Sequence, residues 1–316
     1  MTTNLVFALD VGGTFVKASI VERGVVLNNT ISQYHAFAKE SESVIICQLE
    51  AIILDLLEQY QRLKRNSITA MSDEFIFLKD ESICIGLTFP GPFDYESGIS
   101  WIRNLDKFES LYGVNVREKL LQRLQESVLS KIVKDIKIQF QNDGRLFGLG
   151  ASKLFPEDRI LAITLGTGIG SAFIDRGTIV TKGATVPLEG YLYNQSYRGT
   201  TADECFSRRG ILKLFDATDS LYSGMDVKEL SQLAKGEDPK AKQLFVQFGE
   251  ELGVFLRPFI TSFEANRLLI GGQIAKSFEL FGEGLHNQLQ QSGVLIEALD
   301  DALHHTFIGV SRLFES

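Results

Sequence analysis

The sequence predicts an α/β protein of two lobes with a cleft between them, each lobe built on the same β-hairpin. Three observations predict it. A strand-turn-strand unit occurs twice, at residues 5–27 (LVFALDVGGTFVKASIVERGVVL) and 160–180 (ILAITLGTGIGSAFIDRGTIV). Laid over one another without a gap, the copies place Gly13-Thr14 on Gly166-Thr167 and Arg23-Gly24 on Arg176-Gly177. After each copy strands give way to helices, as in layered α/β architectures. The length, 316 residues, gives each lobe room for a core of its own.

In each hairpin an apolar run ends in Gly-Thr, a second apolar run follows, and Arg-Gly closes a tight turn. Gly adopts φ > 0 and has no side chain, so its backbone N–H groups can form an anion-binding nest to which a Thr hydroxyl adds a donor. Two such turns facing one cleft would make a phosphate clamp. The first copy adds Asp10 at its strand end and Lys17 past the turn, a carboxylate for Mg²⁺ or its waters and a counter-charge for phosphate. The second copy has neither.

Residues 24–32 read as a third strand. Residues 41–64 read as an amphipathic helix, with Ile45, Leu49, Ile52, Ile53, Leu56, Leu57 and Tyr60 at helical spacing. Residues 66–81 read as a polar loop insertion, and 82–89 as a buried strand ending in Pro90-Gly91-Pro92. A helix at 116–129, a strand at 136–141 and a helix at 143–155 precede the second hairpin. Residues 183–201, rich in Tyr, Gly and Asn, read as irregular. Helices dominate 202–291, broken by a strand at 267–270 that runs into Gly271-Gly272. No Pro/Ser-rich linker intervenes, so the lobes are expected to share a hinge; they are expected at 1–130 and 131–297, with a helix at about 298–316 returning to the first.

Composition narrows the function classes. Hydrophobic residues at 44% and charged residues at 23% place the chain among soluble globular proteins. No apolar run reaches the ~18 residues of a membrane span, and the first residues lead into a strand without a basic leader, so a cytoplasmic protein with no membrane partner is expected. Cys47, Cys84 and Cys205 are far apart and odd in number, and no CxxC or HExxH spacing offers a zinc site. A net charge of −8 disfavours sequence-independent binding to nucleic acid. No helix-turn-helix module is expected ahead of the first strand. His35, His286, His304 and His305 form no recognisable catalytic pair and are expected at the surface or in packing.

With the two hairpins, PGPFDYESG at 90–98, QND at 141–143 and LLIGGQI at 268–274, the chain resembles the ROK family. These are sugar kinases and related repressors of the actin-like (ribonuclease H-like) ATPase superfamily. The resemblance covers nearly the whole chain and thins beyond Gly293, where only Phe307-Ile308-Gly309 matches the closing helix. It implies a phosphotransferase with an alcohol acceptor, an ATP- and Mg²⁺-dependent kinase of a glucose-like hexose at its 6-OH. Asp10 would organise Mg²⁺, directly or through water. Gly12, Gly13 and Thr14, with Lys17, would hold the terminal phosphates, and Gly166, Thr167 and Gly168 the rest. Gly271 and Gly272 would let adenosine lie against backbone. Asn104 and Asn142 would hydrogen-bond sugar hydroxyls, and a homodimer is implied.

Asp143 would be the general base and contact the sugar. A carboxylate at a strand end and helix start keeps its charge, and phosphoryl transfer to an alcohol needs a group to accept the hydroxyl proton. Asn142 or Asp143 would also serve as a helix cap in any protein.

The chain departs from the family between residues 187 and 210. Many members carry Gly-Glu-Ile-Gly-His and then a CxCGxxGC zinc motif, whereas PLEGYLYNQSYRGTTADECFSRRG has no His and one Cys. No structural zinc is expected. Tyr191 stands nearest the missing His. Glu189 is the candidate for the first sugar-binding glutamate, though matching Gly190 puts Leu188 there. Aligning Ser207-Arg208-Arg209 puts Asp203 at the second acid, beside Glu204; both would otherwise be a solvated first helical turn. A shorter acid there would change how the anomeric hydroxyl is held. The alternatives are a catalytically silent sugar-sensing regulator, or a kinase using polyphosphate or an amino sugar.

Overall fold

The computed structural model describes residues 5–67, 78–236 and 238–315. The chain divides into two units, Met1–Leu146 with Thr306–Ser316, and Phe147–His305.

In the first unit β1 (Leu5–Val11) and β2 (Phe15–Glu22) pair antiparallel from Leu5↔Glu22 to Val11↔Val16. The expected third strand at 24–32 is instead β3 (Val25–Val26), a 3₁₀ turn (Asn28–Thr30) and the start of β4 (Ser32–His35). The buried Thr30 hydroxyl explains the break. It accepts from Ile20 N–H at 2.9 Å and donates to Leu27 O at 2.7 Å, so a side chain replaces the ladder partner. α1 (Glu42–Ser67) buries the face predicted for it, from Ile45 to Tyr60.

β5 (Leu78–Thr88) begins inside the segment expected as a loop, whose residues 68–77 lie outside the described ones. A small hairpin follows, β6 (Phe93–Asp94) with β7 (Ile99–Ser100). The helix expected at 116–129 divides into α2 (Val116–Glu126) and α3 (Leu129–Ile132) at Ser127, whose Oγ donates to Leu124 O at 2.7 Å. β8 (Val133–Gln141) runs parallel to β5, giving the order β3-β2-β1-β5-β8 with β4 also on β2. β8 therefore lies in the first unit, past the boundary expected after residue 130. α4 (Asp143–Ala151) ends sooner than expected, its chain continuing as a 3₁₀ turn (Ser152–Leu154).

The second unit opens on β9 (Arg159–Leu165), β10 (Ile169–Asp175) and β11 (Thr178–Ile179). The stretch at 183–201 holds a 3₁₀ turn (Leu188–Gly190) and the short ladder β12 (Ser196–Tyr197) with β13 (Thr200–Thr201). Helices α5 (Ala202–Cys205), α6 (Arg208–Asp216), α7 (Val227–Lys235) and α8 (Pro239–Phe263) follow. Then come β14 (Arg267–Gly271), α9 (Phe278–Leu289), β15 (Leu295–Ala298) and α10 (Ala302–Arg312). β15 was not anticipated. It pairs parallel with β14 and completes the order β11-β10-β9-β14-β15.

The repeat thus extends beyond the hairpin to the whole sheet. In each unit an antiparallel pair is followed by two parallel strands, β1-β5-β8 in one and β9-β14-β15 in the other. Each sheet buries its own core, around Phe7, Ile53 and Phe89 in the first unit and Phe173, Phe245 and Phe281 in the second. The chain end docks in the first unit because Gly309 has no side chain. A β-carbon there would lie 1.9 Å from Leu146 O, so any other residue would force α10 off α4. Among the described residues no helix is long and apolar enough to cross a membrane.

Candidate active site

Parallel strands end their backbones on one edge of a sheet, and ligands of α/β proteins gather at that carboxyl edge. In the first unit the edge is polar by register. Asp10 of β1 stands opposite Lys17 of β2 on one side and Thr88 of β5 on the other, and Thr88 stands opposite Gln141 of β8. Thr88 is buried; its hydroxyl donates to Asp10 Oδ1 at 2.8 Å and accepts from Val11 N–H at 2.9 Å. Asp10 is half-buried, and its pKa is raised. Enclosure by protein is the main cause and the charge of Asp143 adds to it, against the Thr88 hydrogen bond and the charge of Lys17.

One residue past β8 the chain turns into α4. Asn142 caps it: its Oδ1 accepts from Arg145 N–H at 3.2 Å, and its carbonyl accepts from Leu146 N–H at 3.0 Å. The capping role foreseen for this pair therefore falls to Asn142. Asp143 opens the helix with an exposed side chain, near enough to Asp10 to raise its pKa.

The first turn is closed by Gly12 N–H to Phe15 O at 3.0 Å, with Gly13 and Thr14 exposed at its tip. Asn104 sits in the loop after β7 with φ +60°, its side chain exposed. Asp94 Oδ1 accepts from Glu96 N–H and Ser97 N–H, an Asx turn at the surface.

In the second unit the matching turn is closed by Gly166 N–H to Gly168 O at 3.0 Å. Asp203 braces it. Asp203 Oδ1 accepts from Ile169 N–H at 2.9 Å, and its Oδ2 takes Arg209 Nη2 at 2.5 Å. Both carboxylate oxygens are thus engaged, and Arg208 N–H donates to Gly166 O at 2.7 Å, seating α6 on the same turn. Glu204 is held by Lys213 and Arg209, which lower its pKa. Gly271 ends β14 opposite Thr164, and Gly272 follows it. Gly272 has φ +93°, and a β-carbon there would lie 2.4 Å from Leu165 O. Only glycine lets the backbone pass that close.

Glu189 and Gly190 are both left-handed, with φ +57° and +68°. Buried Ser171 pins them: its Oγ donates to Gly190 O at 2.8 Å and accepts from Leu192 N–H at 3.0 Å. Glu189 is half-buried, whereas Leu188 is 81% exposed.

Thr88, Ser171 and Arg209 did not stand out in the sequence reading. Thr88 had a signal, a lone hydroxyl ending the apolar run ICIGL; Ser171 and Arg209 had none. Among the described residues no three His, Cys, Asp or Glu side chains are grouped to hold a metal. Mg²⁺ sites commonly use one or two carboxylates, completed by substrate phosphates and water. Asp10 fits that use: it is a carboxylate at the polar end of β1, oriented through Oδ1 by the Thr88 hydroxyl at 2.8 Å.

The ROK family model matches residues 6–295. The glucokinase of Thermotoga maritima is 25% identical over 279 residues, 80% of this chain and 81% of its own. A ROK family glucokinase from Streptomyces griseus, solved in complex with glucose and AMPPNP, superposes with a TM-score of 0.68 at 17% identity, over 98% of this chain and 99% of that one. A ROK family transcriptional regulator, a homologue of the E. coli MLC protein, superposes with a TM-score of 0.68 at 16% identity, over 98% of this chain and 78% of that one. The fold is the actin-like α/β fold that the resemblance to the ROK family implied.

Proposed function

The chain belongs to the ROK family, and from that premise we propose that it is an ATP- and Mg²⁺-dependent sugar kinase acting on the 6-OH of a glucose-like hexose. The observation that carries the reading is the polar carboxyl edge of the first sheet. There Asp10, Thr88 and Gln141 stand in one row, and Asp143 follows at the start of α4.

In this reading Asp143 accepts the proton of the attacking hydroxyl. Its place at the start of α4, with an exposed side chain, leaves it open to a bound hydroxyl. Asn142 spends Oδ1 on its helix, so its Nδ2 is the donor for a sugar hydroxyl, and Asn104 and Glu189 bind further hydroxyls. Asp203 joins them only by sharing a carboxylate oxygen with Ile169 N–H or Arg209. Gly12, Gly13, Thr14 and Lys17 take the terminal phosphates, Gly166, Thr167 and Gly168 the remainder, and Gly271 and Gly272 the adenosine. Asp10 holds Mg²⁺, which supplies charge neutralisation as the phosphoryl group transfers. By family analogy the protein is a cytoplasmic homodimer.

The test is ADP release with ATP and Mg²⁺ over a panel of hexoses and N-acetylhexosamines, wild type beside Asp143→Asn. Turnover on one sugar, reduced about 10²–10⁴-fold in the variant, is expected; near-normal activity in Asp143→Asn would sink the base assignment. The likeness to a regulator favours one second reading, a sugar sensor without catalysis. Sugar-dependent stabilisation with no turnover from ATP or polyphosphate would select it.

A further inference from the structure

One cation touches the first turn from outside the hairpin. A β-carbon on Gly13 would lie 3.0 Å from Cδ and 3.8 Å from Cβ of Lys107, so the stem of that lysine lies across the turn. Its Nζ is two bonds beyond Cδ, so the ammonium is within reach of the N–H groups of the turn.

The loop that carries Lys107 is held on both sides. Asn104, Asp106 and Phe108 are all left-handed, with φ of +60°, +55° and +55°. Such conformations persist in residues other than glycine only where their surroundings impose them, and they cluster at functional sites. The constraints are visible here. Phe108 is buried, its ring 5.1 Å from that of Phe89, and its N–H donates to Ala38 O at 2.5 Å. Glu109 Oε1 accepts from Leu105 N–H and Asp106 N–H, both at 2.9 Å. Asp106 is ion-paired with Lys39. Both acids next to Lys107 are thus engaged elsewhere, and among the described residues Lys107 itself makes no hydrogen bond or ion pair.

We propose that Lys107 is a catalytic residue that binds the γ-phosphoryl group at the Gly12-Gly13-Thr14 turn. The proposal rests on the kinase reading above. In the transfer the sugar oxygen forms its bond to γ-phosphorus as the bond to the β–γ bridging oxygen breaks. That bond's electron pair leaves with ADP, and the hydroxyl proton goes to Asp143. Lys107 gives up no proton; its ammonium donates to a non-bridging γ-oxygen throughout and offsets charge there. Because Asn104 lies on the same loop, sugar recognition and phosphate recognition share one rigid segment.

The experiment compares wild type with Lys107→Met, which keeps the stem against Gly13 and removes the charge, and with Lys107→Ala, which removes both. We expect kcat to fall about 10–100-fold in Lys107→Met with the sugar KM within about threefold of wild type. In a second arm, inorganic tripolyphosphate raises the melting temperature of wild type and not of Lys107→Met. Full kcat in Lys107→Met, or a defect confined to Lys107→Ala, would leave the lysine a packing stem and overturn the proposal. If wild type phosphorylates no sugar, the kinase reading fails by itself, and tripolyphosphate still decides Lys107. A shift lost in Lys107→Met supports the phosphate contact; equal shifts, or none in wild type, refute it.

Discussion

Asp10 and Thr88 stand in register on neighbouring parallel strands, and the Thr88 hydroxyl donates to Asp10 Oδ1 at 2.8 Å while accepting from Val11 N–H at 2.9 Å. One buried hydroxyl thus orients the carboxylate and satisfies a backbone donor of β1.

Thr88→Val, close in volume, removes both bonds. A buried N–H left without an acceptor costs about 1–3 kcal/mol, read as a lower urea midpoint. With Asp10 no longer oriented, the Mg²⁺ concentration for half-maximal rate should rise several-fold. An unchanged Mg²⁺ dependence would show that Thr88 serves the strand alone.

Asp10→Asn keeps an acceptor for Thr88 and removes a charge that the fold disfavours. Folded Asp10 holds its proton more tightly than the unfolded chain, whose carboxyl titrates near 3.8. Its stability contribution is therefore present in acid and lost as pH rises through the folded pKa. The variant should melt above wild type at neutral pH and converge with it in acid, while losing Mg²⁺-dependent activity. Equal melting curves at neutral pH would contradict the burial argument.

Gly272→Ala places a β-carbon 2.4 Å from Leu165 O at φ +93°. Strain and overpacking together should cost about 2–4 kcal/mol. Because Leu165 leads into Gly166, ATP KM should rise more than sugar KM. Equal rises in the two constants would place the damage in the whole unit rather than at the turn.

Ser171→Ala strips Gly190 O and Leu192 N–H of their shared partner. We expect about 2–3 kcal/mol of destabilisation and a sugar KM raised roughly tenfold, with ATP KM preserved. A sugar KM equal to that of wild type would take Glu189 out of the binding site.

Local chemistry wrote much of this protein legibly into its residues. Two Gly-Thr turns at identical spacing from Arg-Gly marked the hairpins, and helical spacing from Ile45 to Tyr60 marked the buried face of α1. The place of Asp143 at the start of α4 was legible because a strand pattern stops and a helix pattern starts there. Each of these is a relation between neighbours along the chain, and short-range geometry alone sets it. The third strand failed as a prediction because Thr30 satisfies Ile20 N–H from its side chain, an exchange that periodicity does not register.

Tertiary structure alone decided the pairings across long separations. Asp10 meets Thr88 from 78 positions away, Asp203 braces a turn through Ile169, 34 residues before it, and Lys107 lies across Gly13. β15 joined its sheet only through β14, since four residues carry too little pattern to announce a strand. Register and loop docking set such contacts, and both are minimised over the whole fold. The sequence determined which groups the chain possesses and which of them start or stop an element. The packing of the sheets determined which of those groups face one another.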